Sequence, residues 1–239
     1  MEEKLNLRNI DPGFFRNIDI PLKQILYYFD EEDAYWIYQG EPRPEVPHAK
    51  LTSGKCSNGF IDCLKVLRYP GLAEILGRQL GRHLKKAGIR KVDWVISSPY
   101  AAITFGHEVA KELDAIFMFC EKDPEDSKGK KMLWRRMQIP EGERVLQVEE
   151  LITTSSTFKE IRRAVESGNA RPVDFIPEVG ALVHRPEKLP TAYDGRKVTA
   201  LIEKEIRMFP PGPTTCPYCA SGSQPLRPKQ NWAELTGRK

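Results

Sequence analysis

The chain lacks any apolar run of membrane length: stretches such as 115–120 fall far short of the roughly 20 residues that a bilayer-spanning helix needs. Its start, Met1-Glu-Glu-Lys, has neither the basic nor the apolar region of a secretory leader. A cytoplasmic location is therefore expected. Cysteine is scarce, five in 239 residues, and an odd number in a medium-sized chain does not make a disulfide framework, so free thiols in a reducing compartment are expected. Net charge is almost absent as well, +4 from 37 basic and 33 acidic residues, and the basic residues are scattered rather than interleaved with aromatics. This argues against nucleic acid as a partner and suits a local anionic ligand. No repeat of solenoid length is present.

What is present points to one elaborated α/β domain, for which 239 residues supply a sizeable core. Residues 21–30 carry apolar side chains at helical spacing and predict a helix within an N-terminal element, 1–44. A Pro-rich break over 41–47 follows, then a turn-rich stretch, 49–64, that reads as a hairpin or hood. From Pro70 the pattern alternates: helix 71–88, strand 92–97, helix 103–113, strand 115–120, a charged loop 121–131 and a strand near 132–137. Apolar stretches at 173–183 and 198–202 close a domain assigned to 45–209. Such alternation calls for right-handed crossovers and a mostly parallel central sheet flanked by helices. The Pro/Gly-rich segment 210–239 reads as a C-terminal arm, with Trp232 and Leu235 docking on the domain or on a partner subunit.

The segment richest in chemistry is Arg144-Val-Leu-Gln-Val-Glu-Glu-Leu-Ile-Thr-Thr-Ser-Ser-Thr157. Val145, Leu146 and Val148 predict a buried strand that delivers Glu149 and Glu150 to its carboxyl end, where open α/β sheets bind ligands. Thr153, Thr154, Ser155, Ser156 and Thr157 then fall at the turn and start of a helix continuing through Phe158, Ile161 and Ala164. Amides and hydroxyls at a helix N-terminus suit a phosphate, and the two carboxylates suit ribose hydroxyls or a divalent cation.

This segment resembles the ribose-5-phosphate loop of the type I phosphoribosyltransferases, in which two acidic and two hydroxyl residues are usually followed by Gly-Gly. A second stretch, His48-Ala-Lys-Leu-Thr-Ser-Gly-Lys-Cys-Ser-Asn-Gly-Phe-Ile-Asp62, resembles the N-terminal segment of the orotate phosphoribosyltransferases in Ser53, Gly54, Ser57, Phe60, Ile61 and Asp62. The resemblance makes Thr52, Ser53, Gly54 and Lys55 the base-side residues; Thr52 stands where the family has lysine, and Lys50 or Lys55 is left to supply that charge. In Val95-Ile-Ser-Ser-Pro-Tyr-Ala-Ala102 the family's small Gly-rich pyrophosphate turn has no glycine, and Ser98 and Tyr100 become its phosphate-side residues, while His107 beyond it reads as a helix-surface histidine. The charged loop corresponds to a basic loop that closes over the site, with Lys122 and Arg135 pointing inward beside Lys128, Lys130, Lys131 and Arg136.

The implied reaction is displacement at C1 of 5-phosphoribosyl diphosphate (PRPP) by a base nitrogen, with orotate as base, Mg²⁺ as cofactor and a homodimer as assembly. Glu149 and Glu150 would hold the ribose hydroxyls directly or through Mg²⁺, and residues 153–157 the 5-phosphate. Two departures bear on activity. Glu-Glu replaces a pair that usually includes aspartate, extending each reach by about 1.5 Å, and Ser155-Ser156 replaces Gly-Gly, which restricts the backbone. They leave open an alternative, a weakened or inactive relative that binds PRPP or a nucleotide in a regulatory role.

Outside this resemblance lies Cys216-Pro-Tyr-Cys219, a Cys-x-x-Cys spacing suited to Zn²⁺ or to a turn with two free thiols. Zinc takes four ligands, so Cys56, Cys63, Cys120, His184 or a second subunit would have to complete the set.

Overall fold

The computed structural model describes residues 6–189, 193 and 195–238. After a short 3₁₀ turn, Leu7–Asn9, Pro21 with its fixed φ leads into α1 (Leu22–Glu31), which buries Ile25, Tyr28 and Phe29 at helical spacing. These side chains enter the same core as the central sheet. Strand β1 (Tyr35–Ile37) follows, then β2 (His48–Lys50) and β3 (Cys56–Ser57), which form the expected hairpin. β4 (Gly59–Ile61) returns antiparallel to β1. The Pro-rich stretch over 41–47 forms no regular element, as three prolines with fixed φ and no backbone donor dictate.

α2 (Cys63–Leu67) and α3 (Pro70–Lys86) come next, α3 starting on the proline that its first turn tolerates. The alternating part then runs β5 (Trp94–Ser97), α4 (Ala102–Leu113) and β6 (Ile116–Phe119). Two-residue strands β7 (Glu121–Lys122) and β8 (Met132–Leu133) pair antiparallel and bracket the charged loop, so the strand expected over 132–137 is only a clip. β9 (Arg144–Ile152), α5 (Ser156–Gly168), β10 (Asp174–His184) and β11 (Lys197–Glu203) complete the core. The C-terminal region adds β12 (Met208–Phe209), α6 (Pro217–Ala220), β13 (Pro225–Leu226) and α7 (Trp232–Thr236).

The central sheet has the order β11-β10-β9-β5-β6 and every neighbouring pair in it is parallel. From β5 the chain steps outward to β6, and from β9 it steps the other way to β10 and β11. The order therefore reverses between β5 and β9, and the crevice at their carboxyl ends is where such sheets bind ligands. The faces bury separate clusters: Leu146 and Val148 of β9 pack in the α3–α4 core, whereas Val145 packs with Ile161 and Val165 of α5. α3 lies close against α4 because Gly77 and Gly81 carry no Cβ; one added at Gly77 would sit 2.5 Å from Glu108 Cβ.

A second sheet, β12-β3-β2-β13, forms the hood, so the C-terminal arm supplies one of its edges by pairing parallel with β2. The arm docks on its own domain: Trp232 stacks near Phe60 and Lys65, and Leu235 is buried. Among the described residues, no helix is long and apolar enough to cross a membrane.

Candidate active site

β9 is longer than its apolar pattern predicts, since Glu149 and Glu150 lie inside the strand and Leu151 and Ile152 continue it. Successive strand residues leave opposite sides of the pleat, so the two carboxylates have different surroundings. Glu149 is almost fully buried, and its Oε2 accepts from Ser98 Oγ at 2.5 Å. Burial, reinforced by the charge of Glu150, pushes its pKa up to about 8, against the pull of the Ser98 donors and of Lys122. Its free carboxyl is thus protonated at neutral pH. Glu150 lies beside Cys63 at the start of α2, whose thiol donates to the Glu150 carbonyl at 3.3 Å, and burial raises its pKa too. Glu149 Oε1 and Glu150 Oε2 are buried without a hydrogen-bond partner among the described residues. Buried acceptors left open in this way suit ligand hydroxyls or a hard cation.

The loops that follow β5 and β9 frame this pair. In the first, Ser98 is buried and donates its hydroxyl to Glu149. Tyr100, behind a cis Pro99–Tyr100 peptide, points to solvent. In the second, Thr153, Thr154 and Ser155 form the bend before α5, and Thr154 Oγ1 lies 3.1 Å from Ser156 Oγ. The first turn of α5 has no acidic residue and no side-chain cap, which leaves its amides to an anion.

Ser156 and Thr157 line a cleft of about 750 Å³ whose other wall is the charged loop, including Lys122, Lys128 and Lys130. The loop has an internal scaffold, for the Asp126 carboxylate accepts from the amides of Lys128, Lys130 and Lys131. Lys122 lines the cleft, donates to the Gly129 carbonyl at 2.7 Å, and acts by its charge on Glu149. Lys131 pairs with Asp123 at 2.8 Å, whereas Lys128 and Lys130 have no ionic partner among the described residues. Arg135 does not point inward as expected: with Arg136 it pairs with Glu121, outside the residues that line the cleft. A neighbouring carboxylate is the nearer attraction for both exposed guanidinium groups. Thr52, Ser53, Gly54 and Lys55 form the tip of the β2–β3 hairpin, closed by Leu51 N–H to Lys55 O at 2.8 Å, with Gly54 at φ +84° where glycine is favoured. His107 is an exposed helix residue paired with Glu108.

Arg185 escaped the sequence reading. It directly follows β10, where its N–H donates to the Ile152 carbonyl at 2.8 Å, and its Nε and Nη1 are buried without a partner among the described residues. Its charge acts on Cys63, as that of Glu150 does. A guanidinium left open at the carboxyl end of a parallel sheet calls for an anionic ligand. The legible signal was a cation placed one residue beyond the apolar run 179–183, after His184.

The cysteine pair also finds company. Cys216 and Cys219 meet Cys56 and His48, with all four ligand atoms within 4.8 Å of one another. Cys63 and Cys120 lie elsewhere, beside Glu150 and in the α5-side core, and His184 bonds Glu203 and Tyr193. Of the four candidates for completing the set only Cys56 is there, and the histidine is His48.

No family model matches the chain. It is 33% identical over 182 residues to a protein of Caldicellulosiruptor bescii named orotate phosphoribosyltransferase, covering 76% of this chain and 87% of that one. A protein of the same name from Nitratiruptor sp. is 31% identical over 188 residues, 76% of this chain and 90% of that one. Among solved structures, orotate phosphoribosyltransferase of Aeropyrum pernix matches with a TM-score of 0.50 and 15% identity over 73% of this chain and 90% of that one. Leishmania donovani UMP synthase matches with a TM-score of 0.54 and 18% identity over 79% of this chain, which spans only 37% of that longer one. The chain belongs to the type I phosphoribosyltransferase family and, within it, is most like the orotate phosphoribosyltransferases.

Proposed function

We propose that the chain transfers the 5-phosphoribosyl group of PRPP to orotate and releases pyrophosphate. The observation that carries this reading is the pair of open, buried carboxylate oxygens on Glu149 and Glu150 at the β5–β9 crevice, one short turn before the uncapped N-terminus of α5. In this reading α5 and the hydroxyls of residues 153–157 hold the 5-phosphate, and Glu149 and Glu150 hold the ribose hydroxyls. Arg185, with two open donors, suits the carboxylate that distinguishes orotate from uracil.

The C1–O bond to pyrophosphate breaks with its electron pair leaving on the pyrophosphate, while a ring nitrogen of the base forms the new C1–N bond and gives up its proton, which leaves with the pyrophosphate. Positioning of the two reactants and stabilisation of the leaving charge account for most of such a rate. Lys128 and Lys130, which have no ionic partner among the described residues, are placed in the reading to neutralise pyrophosphate as the loop covers it. Either open carboxylate oxygen suits Mg²⁺, that of Glu149 once it has released the proton it holds in the ligand-free site; when bound, the ion would neutralise charge on the pyrophosphate oxygens.

One observation favours the second reading, a weakened relative that binds PRPP or a nucleotide in a regulatory role. Ser98 commits its hydroxyl to Glu149, which keeps that donor from pyrophosphate. Pyrophosphate release from PRPP and Mg²⁺ against orotate, uracil and purine bases separates the two. Turnover with orotate that a Glu149→Ala/Glu150→Ala chain loses supports the transferase; PRPP binding without turnover on any base supports the regulator.

A further inference from the structure

The hood is too slight to stand by ordinary packing. Its sheet is made of strands two or three residues long, and strands of that length need support from outside the ladder. Their common apolar cluster has only Tyr38, Cys56, Cys216 and Tyr218 fully inside it. Small units of this kind are usually fastened by disulfides or a structural metal.

A disulfide does not do it. Cys56 Sγ lies 3.7 Å from Cys219 Sγ, against the roughly 2.05 Å of an S–S bond, and all five cysteines are free. The distances from Cys219 to Cys56 and from His48 to the Cys216 and Cys219 sulfurs are near those of a tetrahedral zinc site instead, in a cluster whose ligand atoms all lie within 4.8 Å of one another. With Zn–S near 2.3 Å and Zn–N near 2.05 Å, two sulfurs on one zinc stand about 3.8 Å apart and a sulfur and a nitrogen about 3.6 Å. His48 Nε2 lies 3.6 Å from Cys219 Sγ and 4.0 Å from Cys216 Sγ.

The orientation of His48 is fixed for the same purpose. Ser223 Oγ donates its one hydrogen to the Val46 carbonyl at 2.6 Å, so toward His48 Nδ1, 2.8 Å away, it can only accept. Nδ1 therefore carries the proton, and the bare lone pair of Nε2 faces the sulfurs. Metal-bound histidines are oriented by this kind of outer hydrogen bond. Tyr218 stacks on the imidazole with ring centroids 5.4 Å apart, and His48, Cys56 and Cys216 are buried.

We propose that His48, Cys56, Cys216 and Cys219 bind one zinc ion that fastens the C-terminal arm to the base of the β2–β3 hairpin. Four protein ligands leave no open position, so the site is structural rather than catalytic. Two ligands come from the hairpin and two from the Cys-x-x-Cys turn at α6. The ion thus closes the hood where the arm lies along it, with residues 51–55 projecting beyond it as the hairpin tip.

Metal analysis of the full chain, purified without a metal-binding tag, tests this directly. The expected result is one zinc per chain, and Co²⁺ exchanged into its place should show the ligand-field bands of a tetrahedral thiolate site. Cys56→Ser and Cys216→Ser should lose the metal, Cys120→Ala should keep one per chain, and His48→Cys should retain it through a fourth thiolate. Stripping zinc from the unmutated protein should expose the arm to trypsin at Lys229. Because the first measurements use the unmutated chain, a variant that fails to fold does not obscure them. Folded wild-type protein without zinc, iron in its place, or loss of the metal from Cys120→Ala overturns the proposal. No substrate enters these measurements, so their failure and failure of the transferase reading are separate events.

Discussion

Replacing Glu149 by glutamine should alter stability in a pH-dependent way that reports the proton on this buried carboxyl. In the folded chain its pKa is raised from 4.5 to about 8. Below pH 4.5 both folded and unfolded chains hold the proton and the group contributes nothing to pH dependence. Between 4.5 and about 8 the unfolded chain releases the proton while the folded one keeps it, so stability falls as pH rises, by about 1.4 kcal/mol per pH unit. Across the window the loss sums to about 5 kcal/mol, and above it the curve is flat.

Glutamine cannot ionise, so the Glu149→Gln chain lacks this slope. Its Oε1 can still accept from Ser98, while its buried amide N–H groups, standing where Oε1 of Glu149 has no partner, add a pH-independent cost of about 1–3 kcal/mol. The variant should therefore be the less stable protein at pH 4.5 and the more stable one at pH 8.5. Glu150 and Lys122, which act on Glu149 by their charge, remain in both chains and largely cancel in the difference. Urea unfolding of the two proteins at half-unit steps from pH 4.5 to 9 is the assay. Parallel stability curves would refute the raised pKa and with it the neutral carboxyl in the ligand-free site.

Further outcomes follow from other contacts. Lys122→Met removes the ammonium that favours ionised Glu149, so the upper end of the same window should move to higher pH, and transfer should slow by on the order of 10²-fold; an unmoved window contradicts the placement of Lys122. Gly77→Ala forces a Cβ to 2.5 Å from Glu108 Cβ, and overpacking of this kind should cost about 1–3 kcal/mol in denaturant unfolding. Leu235→Ala empties a buried seat under the arm; it should cost about 2–3 kcal/mol and speed tryptic cleavage at Lys229, and unchanged cleavage would mean that Leu235 does not hold the arm.

Much of the frame was legible because its signals are local. α3, α4, β5 and β6 lie within two residues of the bounds that apolar spacing predicts. The carboxylates and the α5 hydroxyls were visible because they are contiguous. β9 read short because two glutamates interrupt its apolar pattern, although the parallel ladder to β10 continues to Ile152. Arg135 misled for a related reason: a loop's charge can be read from sequence, but which carboxylate it meets depends on how β7 and β8 clip together. His48 was beyond reach, since it approaches Cys216 across 168 residues and only the parallel pairing of β13 with β2 brings them together.

The most direct test of the account is single-turnover chemistry with radiolabelled PRPP, orotate and Mg²⁺ at enzyme excess, followed by separation of nucleotide from free sugar phosphate. The account predicts label in a pyrimidine nucleoside monophosphate with pyrophosphate in equal amount. Label recovered wholly as bound, unreacted PRPP would contradict the transferase reading.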